Sequence, residues 1–130
     1  MKKPTTTGLR RKPEVLIVDD EKRFRDAMRF HLVEIYQAKV RIAGSGDEAI
    51  RYLKRKKICD VIFLDIKMTG IDGIETYHRL REMNVDCEIV MMSAYENSEK
   101  WAQAQKLGVT LIPKPFPENI LAKIMGNLAR

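Results

Sequence analysis

The sequence predicts an α/β fold, a doubly wound five-stranded parallel sheet with strand order 2-1-3-4-5. Three observations predict it. Short apolar runs alternate with helix-length amphipathic segments along the whole chain, which reads as βα repeated five times. The first, third and fourth runs are almost wholly apolar, as strands covered on both faces are. The second alternates apolar and basic residues, as a half-exposed edge strand does.

The elements follow in order. Glu14-Val15-Leu16-Ile17-Val18 is the first strand, closed by Asp19, Asp20 and Glu21. Residues 22–35 carry Phe24, Ala27, Met28, Leu32 and Ile35 at helical spacing. Residues 38–43 form the alternating second strand, and Gly44-Ser45-Gly46-Asp47 is a turn. Ser45 and Glu48 have the spacing of a capping box, which starts a helix through Ala49, Ile50 and Leu53. The basic end of that helix, Lys54-Arg55-Lys56-Lys57, complements its dipole better than it makes a binding patch.

Residues 60–64 are the third strand, and Asp65 stands where the apolar run ends. By itself an Asp in that place is a turn-former or a helix cap. Gly70 and Gly73 then mark a sharp turn, and residues 72–83 form a helix with Ile74, Tyr77, Leu80 and Met83 on one face. Glu88-Ile89-Val90-Met91-Met92 is the fourth strand, ending in Ser93-Ala94. A helix from Glu96 to Leu107 has Asn97 or Ser98 as its cap and Trp101 mainly in the core, and Gly108 closes it. Residues 109–112 are the fifth strand, Pro113-Lys114-Pro115-Phe116 follows, and a last helix covers 117–128.

The 130 residues suit one domain, with residues 1–12 as a flexible basic tail and residues 13–130 as the folded unit. The net charge of +6 belongs mainly to the tail, which holds five basic residues and no acid. Residues 13–130 are nearly balanced, with 19 basic and 18 acidic side chains. Direct nucleic-acid binding is therefore not expected, and the tail reads as a solvated leader. The apolar runs are too short for membrane insertion, and no apolar segment follows the basic start as in a signal peptide. A cytoplasmic protein is expected. Cys59 and Cys87 have no CxxC partner and read as reduced structural thiols. His31 and His78 have no companion ligands at metal spacing and read as surface or boundary residues.

All strand ends of a parallel sheet point the same way. One rim thus receives Asp19 and Asp20, Asp65, Ser93 and Lys114. Three crowded carboxylates repel one another unless a cation neutralises them. Oxygen ligands of this kind favour a hard ion such as Mg²⁺, with Mn²⁺ as a substitute. A lysine and a hydroxyl opposite the metal suit a phosphoryl group, and a carboxylate can accept one. The chemistry indicated is phosphoryl transfer to an aspartate.

Asp19-Asp20, Asp65 with Met68 and Gly70-Ile71-Asp72-Gly73, Ser93-Ala94 and Lys114-Pro115-Phe116 together resemble the receiver domain of two-component response regulators, chemotaxis-regulator-like, over about residues 14–128. The resemblance implies a flavodoxin-like (βα)5 receiver fold and a role for each residue. Asp65 would take a phosphoryl group from a sensor histidine kinase or phosphotransfer protein. Asp20, Asp65 and the backbone carbonyl of Lys67 would hold Mg²⁺, with Asp19 in support. Lys114 would contact the phosphoryl group, and Ser93 would move to donate to it. The Lys114–Pro115 bond would be cis. The face made by the fourth helix, fifth strand and fifth helix would control an output partner, with the domain a monomer or a weak dimer through that face. The domain would catalyse only its own phosphotransfer and dephosphorylation, and would act alone or as a piece of a larger protein.

Some residues depart from the receiver pattern. Thr69 stands where receivers usually have proline, and Leu111 where many carry an aromatic ring. Gly108 to Lys114 is one residue short of the commoner spacing. Tyr95 and Lys67 are placed to act at the site, and each reads equally well as a surface side chain. Two other functions compete. Asp65-Ile66-Lys67-Met68-Thr69 superficially resembles the Asp-x-Asp-x-Thr motif of haloacid-dehalogenase-like phosphohydrolases, but Lys67 replaces the second Asp and the chain lacks room for a substrate cap. A flavodoxin-like nucleotide-binding module would want a glycine-rich first loop, and this one is Asp-Asp-Glu.

Overall fold

The structure, a computed structural model, describes residues 11–56 and 59–128. Most of the sequence-predicted basic tail, along with Lys57, lies outside the described residues. The order is β1 (Glu14–Val18), α1 (Lys22–Tyr36), β2 (Lys39–Ala43), α2 (Gly46–Arg55), β3 (Val61–Asp65), α3 (Gly73–Glu82), β4 (Glu88–Ser93), α4 (Glu99–Lys106), β5 (Thr110–Pro113) and α5 (Glu118–Asn127). The strands form one parallel sheet in the order β2-β1-β3-β4-β5, as the alternation of runs predicts.

Strand periodicity divides the core in two. Leu16, Val18, Ile62, Leu64, Ile89 and Met91 pack beneath α2, α3 and α4 with Leu53, Leu80 and Ala104. Val15, Ile17, Val61, Phe63, Val90 and Met92 face α1 and α5, meeting Met28, Leu32, Leu121 and Met125. The central strand β3 is buried along its whole length, whereas β2 alternates and lies at the edge. Each buried aliphatic side chain contributes roughly 1.5–3 kcal/mol of transfer free energy, so these two layers dominate the stability of the domain.

Several boundaries differ from the sequence reading. Helix α4 starts at Glu99, three residues later than predicted. Ser98 is its cap and accepts from the Trp101 N–H at 3.1 Å, while Asn97 sits at φ 68° in the preceding turn. Trp101 is half-buried against the α2–α4 side of the core, less enclosed than predicted. Ala27, counted in the apolar stripe of α1, is exposed, because the stripe turns inward through Met28, Leu32 and Tyr36. Ser45 caps α2 as its spacing predicts, accepting from Glu48 N–H at 3.1 Å. Gly108 has φ +75° and follows α4 in a left-handed turn.

Candidate functional site

The sheet register sets the site. Val18 pairs with Leu64, so the chain leaves β1 into Asp19 beside Asp65, the last residue of β3. Ser93 ends β4 and pairs with Pro113, and the next residue is Lys114, whose N–H donates to the Ser93 carbonyl at 2.8 Å. The Lys114–Pro115 peptide is cis, as predicted. Gly73 closes the loop behind Asp65. Its N–H donates to the Ile66 carbonyl at 2.7 Å, and a Cβ there would collide with the Asp65 carbonyl oxygen. Only glycine lets α3 begin this close to the strand.

Lys114 is the electrostatic centre. Its Nζ lies 2.7 Å from Asp19 Oδ2 and 3.3 Å from Asp65 Oδ2, with Glu21 Oε1 at 3.8 Å. Asp19 is fully buried and Asp65 is 5% exposed, so neither charge is dispersed by solvent. Asp19 is also held by the Glu21 N–H, which donates to Oδ1 at 2.9 Å. Burial and the neighbouring Asp19 carboxylate push the Asp65 carboxyl up to about 7, against the pull of Lys114. Burial works to strip the Lys114 charge, but the two aspartates outweigh it and hold the ammonium above its ordinary value. Asp65 is thus a carboxylate kept near its proton until positive charge arrives.

Asp20 is the exposed member of the acidic group. One oxygen each from Asp19, Asp20 and Asp65 lies within 4.8 Å of the others. Three carboxylate oxygens, one of them open to water, fit a hard divalent ion that keeps part of its hydration shell. Ser93 is 2% exposed, and its Oγ accepts from the Tyr95 N–H at 2.9 Å. That bond uses the oxygen and leaves the hydroxyl hydrogen for another acceptor. The cleft has a volume of about 470 Å³ and is lined by Asp20, Asp65, Lys67, Thr69, Tyr95 and Lys114, among others.

The structure brings all five predicted strand-end residues to one rim, and it places the departures too. The Lys67 ammonium sits 4.5 Å over the Tyr95 ring at the cleft mouth. Tyr95 is 55% exposed, whereas Leu111 is half-buried against the core. Two neighbours were not foreseen. Phe24 lies under Lys114, its ring centre 4.4 Å from Nζ, and it meets Phe116 edge-on at 6.2 Å. Thr69 donates twice to Asp20. Phe24 was visible only as an apolar helix position, and nothing in the spacing of Thr69 ties it to Asp20.

Residues 15–125 match the family model described as the response regulator receiver domain. The chain belongs to this family. As a receiver domain it is a signalling module of two-component systems rather than a classical enzyme. It is 32% identical over 118 residues to the response regulator MprA of Mycobacterium leprae, covering 89% of this chain and 51% of that protein. It is 34% identical over 119 residues to the transcriptional regulatory protein ResD of Bacillus subtilis, covering 90% of this chain and 48% of that protein. This receiver thus spans about half the length of those curated relatives. The response regulator TrrA of Thermotoga maritima, solved in complex with Mg²⁺-BeF, superimposes with a TM-score of 0.77 at 26% identity, over 89% of this chain and 98% of that one. Among the described residues of the receiver, no helix is long and apolar enough to cross a membrane.

Proposed function

We propose that this receiver takes a phosphoryl group from the phosphohistidine of a sensor histidine kinase, or of a phosphotransfer protein, onto Asp65, in a reaction that needs Mg²⁺. The observation that carries the reading is Lys114 Nζ set between Asp19 and Asp65 at the strand-end rim, beside a third carboxylate. An Asp65 oxygen attacks phosphorus, the new P–O bond forms as the P–N bond to the imidazole breaks, and the leaving imidazole keeps the electron pair. Asp19, Asp20, Asp65 and the backbone carbonyl of Lys67 would hold Mg²⁺, with Mn²⁺ as a substitute. The ion supplies charge neutralisation, without which an anionic donor and three carboxylates repel.

The protein's own groups do the rest. Lys114 already touches the Asp65 carboxylate and needs only a small shift to pair with a phosphoryl oxygen. The Ser93 hydroxyl donates to another. Because the Tyr95 N–H is bonded to Ser93 Oγ, movement of Ser93 carries the residues before α4 with it. This links phosphorylation to the α4–β5–α5 face, which we assign to an output partner and, in a weak dimer, to a second copy. The domain catalyses only its own phosphotransfer and dephosphorylation, and a cytoplasmic setting suits a kinase-fed acceptor. The Lys67–Tyr95 stack at the cleft mouth supports a role in phosphoryl lifetime; unchanged Asp65-phosphate decay in Lys67→Ala would remove that role.

The deciding experiment is incubation with Mg²⁺ and acetyl phosphate followed by intact mass. A gain of one phosphate that disappears in Asp65→Ala is expected. Absence of any gain, with the small donor or with a competent kinase, overturns the proposal.

A further inference from the structure

The three carboxylates are held in different ways. Asp19 is fully buried, bonded to Lys114 and to the Glu21 N–H. Asp65 is enclosed by the end of β3 and contacts Lys114. Asp20 is exposed, so packing alone does not fix it. A carboxylate in that situation turns freely about its last torsion. Its Oδ2 nevertheless receives two donors from one residue of the opposite loop. The Thr69 N–H donates at 2.9 Å and the Thr69 hydroxyl at 3.0 Å.

We propose that Thr69 is the positioning residue for Asp20: by saturating Oδ2 it fixes the carboxylate plane and reserves Oδ1 for a divalent cation. The inference rests on the reading of the three carboxylates as the Mg²⁺ site, and it assigns to that site a support that lies outside its ligands. Hydrogen bonds to an ionised carboxylate are stronger than neutral ones, so two donors on one oxygen hold the carboxylate in place. Partners that orient a ligand in this way change metal affinity by on the order of 10–100-fold when removed. The residue type matters twice. Any residue but proline could give the N–H, and only serine or threonine could add the hydroxyl in the same place. The branched side chain further restricts χ1 and holds that hydroxyl toward Asp20. The two bonds also tie the β1–α1 loop to the β3–α3 loop, so the ion would enter a mouth whose two sides are already joined.

The test is a Mg²⁺ titration of wild type, Thr69→Ser, Thr69→Val, Thr69→Pro and Asp20→Asn at pH 7. It is followed by ¹H–¹⁵N NMR at the rim amides, with urea midpoints confirming the fold. Thr69→Val keeps the N–H and loses the hydroxyl, so its Mg²⁺ Kd should rise about threefold; Thr69→Pro loses both donors and should rise about tenfold, the low end of the range for an exposed contact. Thr69→Ser should stay within about twofold of wild type, since it keeps both donors. In acetyl phosphate assays Thr69→Val and Thr69→Pro should need more Mg²⁺ but reach the wild-type rate when saturated, a separation that general loss of structure would not produce. Unchanged affinity in Thr69→Val and Thr69→Pro, with wild type binding normally, overturns the positioning role alone. Tighter binding in those variants also overturns it, since the loop would then be competing with the ion for Asp20. A wild type without Mg²⁺-dependent shifts, or an Asp20→Asn that binds like wild type, overturns the metal-site reading beneath it.

Discussion

Replacing Asp65 by asparagine in metal-free protein should stabilise the fold, and by an amount that grows with pH. The Asp65 carboxyl is pushed from its ordinary 3.8 up to about 7 by burial and by Asp19. Between those values the folded protein keeps a proton that the unfolded chain has released. Stability therefore falls as pH rises through that window and levels off above about 7. Linkage puts the cost at roughly 2 kcal/mol at pH 5.5 and roughly 4 kcal/mol at pH 8.5, as ceilings. Asparagine has the same shape and does not titrate, and Lys114 keeps its closer bond to Asp19 at 2.7 Å. Any contact that asparagine gains or loses is the same at both pH values. The increment between them, about 2 kcal/mol, thus isolates the titration. Urea unfolding of wild type and Asp65→Asn in EDTA at pH 5.5 and 8.5 measures it. A stability difference that stays flat across that range would refute the idea that Asp65 is strained by its charge.

Other outcomes follow from the same geometry. Gly73→Ala drives a methyl group into the Asp65 carbonyl, so it should cost about 1–3 kcal/mol in urea unfolding, as overpacking does, and should lower phosphate uptake at Asp65. Arg11 donates to both oxygens of Asp60 at 2.7 and 2.8 Å and, with the Glu14 N–H, outweighs burial to hold that carboxyl below its ordinary 3.8. The resulting stability is present above pH 3.8 and lost as pH falls through the lowered folded value, so Arg11→Ala should cost about 0.5–1 kcal/mol at pH 7 and progressively less as pH falls below 3.8. Cys87 is half-buried with its thiol pulled down by Cys59, whereas Cys59 is buried with its thiol pushed up by Cys87. Iodoacetamide in native buffer should label Cys87 first, as peptide mass spectrometry would show; equal labelling would refute the assignment.

The parts that were legible in the sequence depend on periodicity. Leu16, Ile62 and Val90 announce strands because period-two burial on both faces leaves no room for polar residues, and a parallel sheet then delivers whatever follows each strand to one rim. Asp19, Asp65, Ser93 and Lys114 could be grouped on that basis without knowing a single loop conformation. Thr69 and Phe24 could not. Thr69 meets Asp20 because of the path of the β3–α3 loop, and Phe24 meets Lys114 because of the rotation of the first turn of α1. Neither depends on a repeat. The start of α4 was misplaced for a similar reason, since the left-handed Asn97 adds a turn that an apolar stripe does not reveal.

Two of the departures, Thr69 and Leu111, and the two site neighbours Lys67 and Tyr95 fall into two groups. Lys67, Thr69 and Tyr95 line the same cleft as Asp20, Asp65 and Lys114. Leu111 stands apart, packed against the core beside β4. Three of these four side chains thus line the cleft where, under the proposed function, the phosphoryl group and its cation would arrive. On that reading, substitutions there should change how tightly an ion is held and how long an acyl phosphate survives, without touching the buried layers that set stability. Leu111 pairs with Met91 of β4 and carries no ring, so in the proposed switch the Tyr95 N–H bond to Ser93 Oγ is the contact that would carry movement of Ser93 toward α4. Under the proposed function, timing and transmission should therefore separate. Variants at Lys67 and Thr69 should change ion affinity or Asp65-phosphate decay, and variants at Leu111 the coupling to the output face.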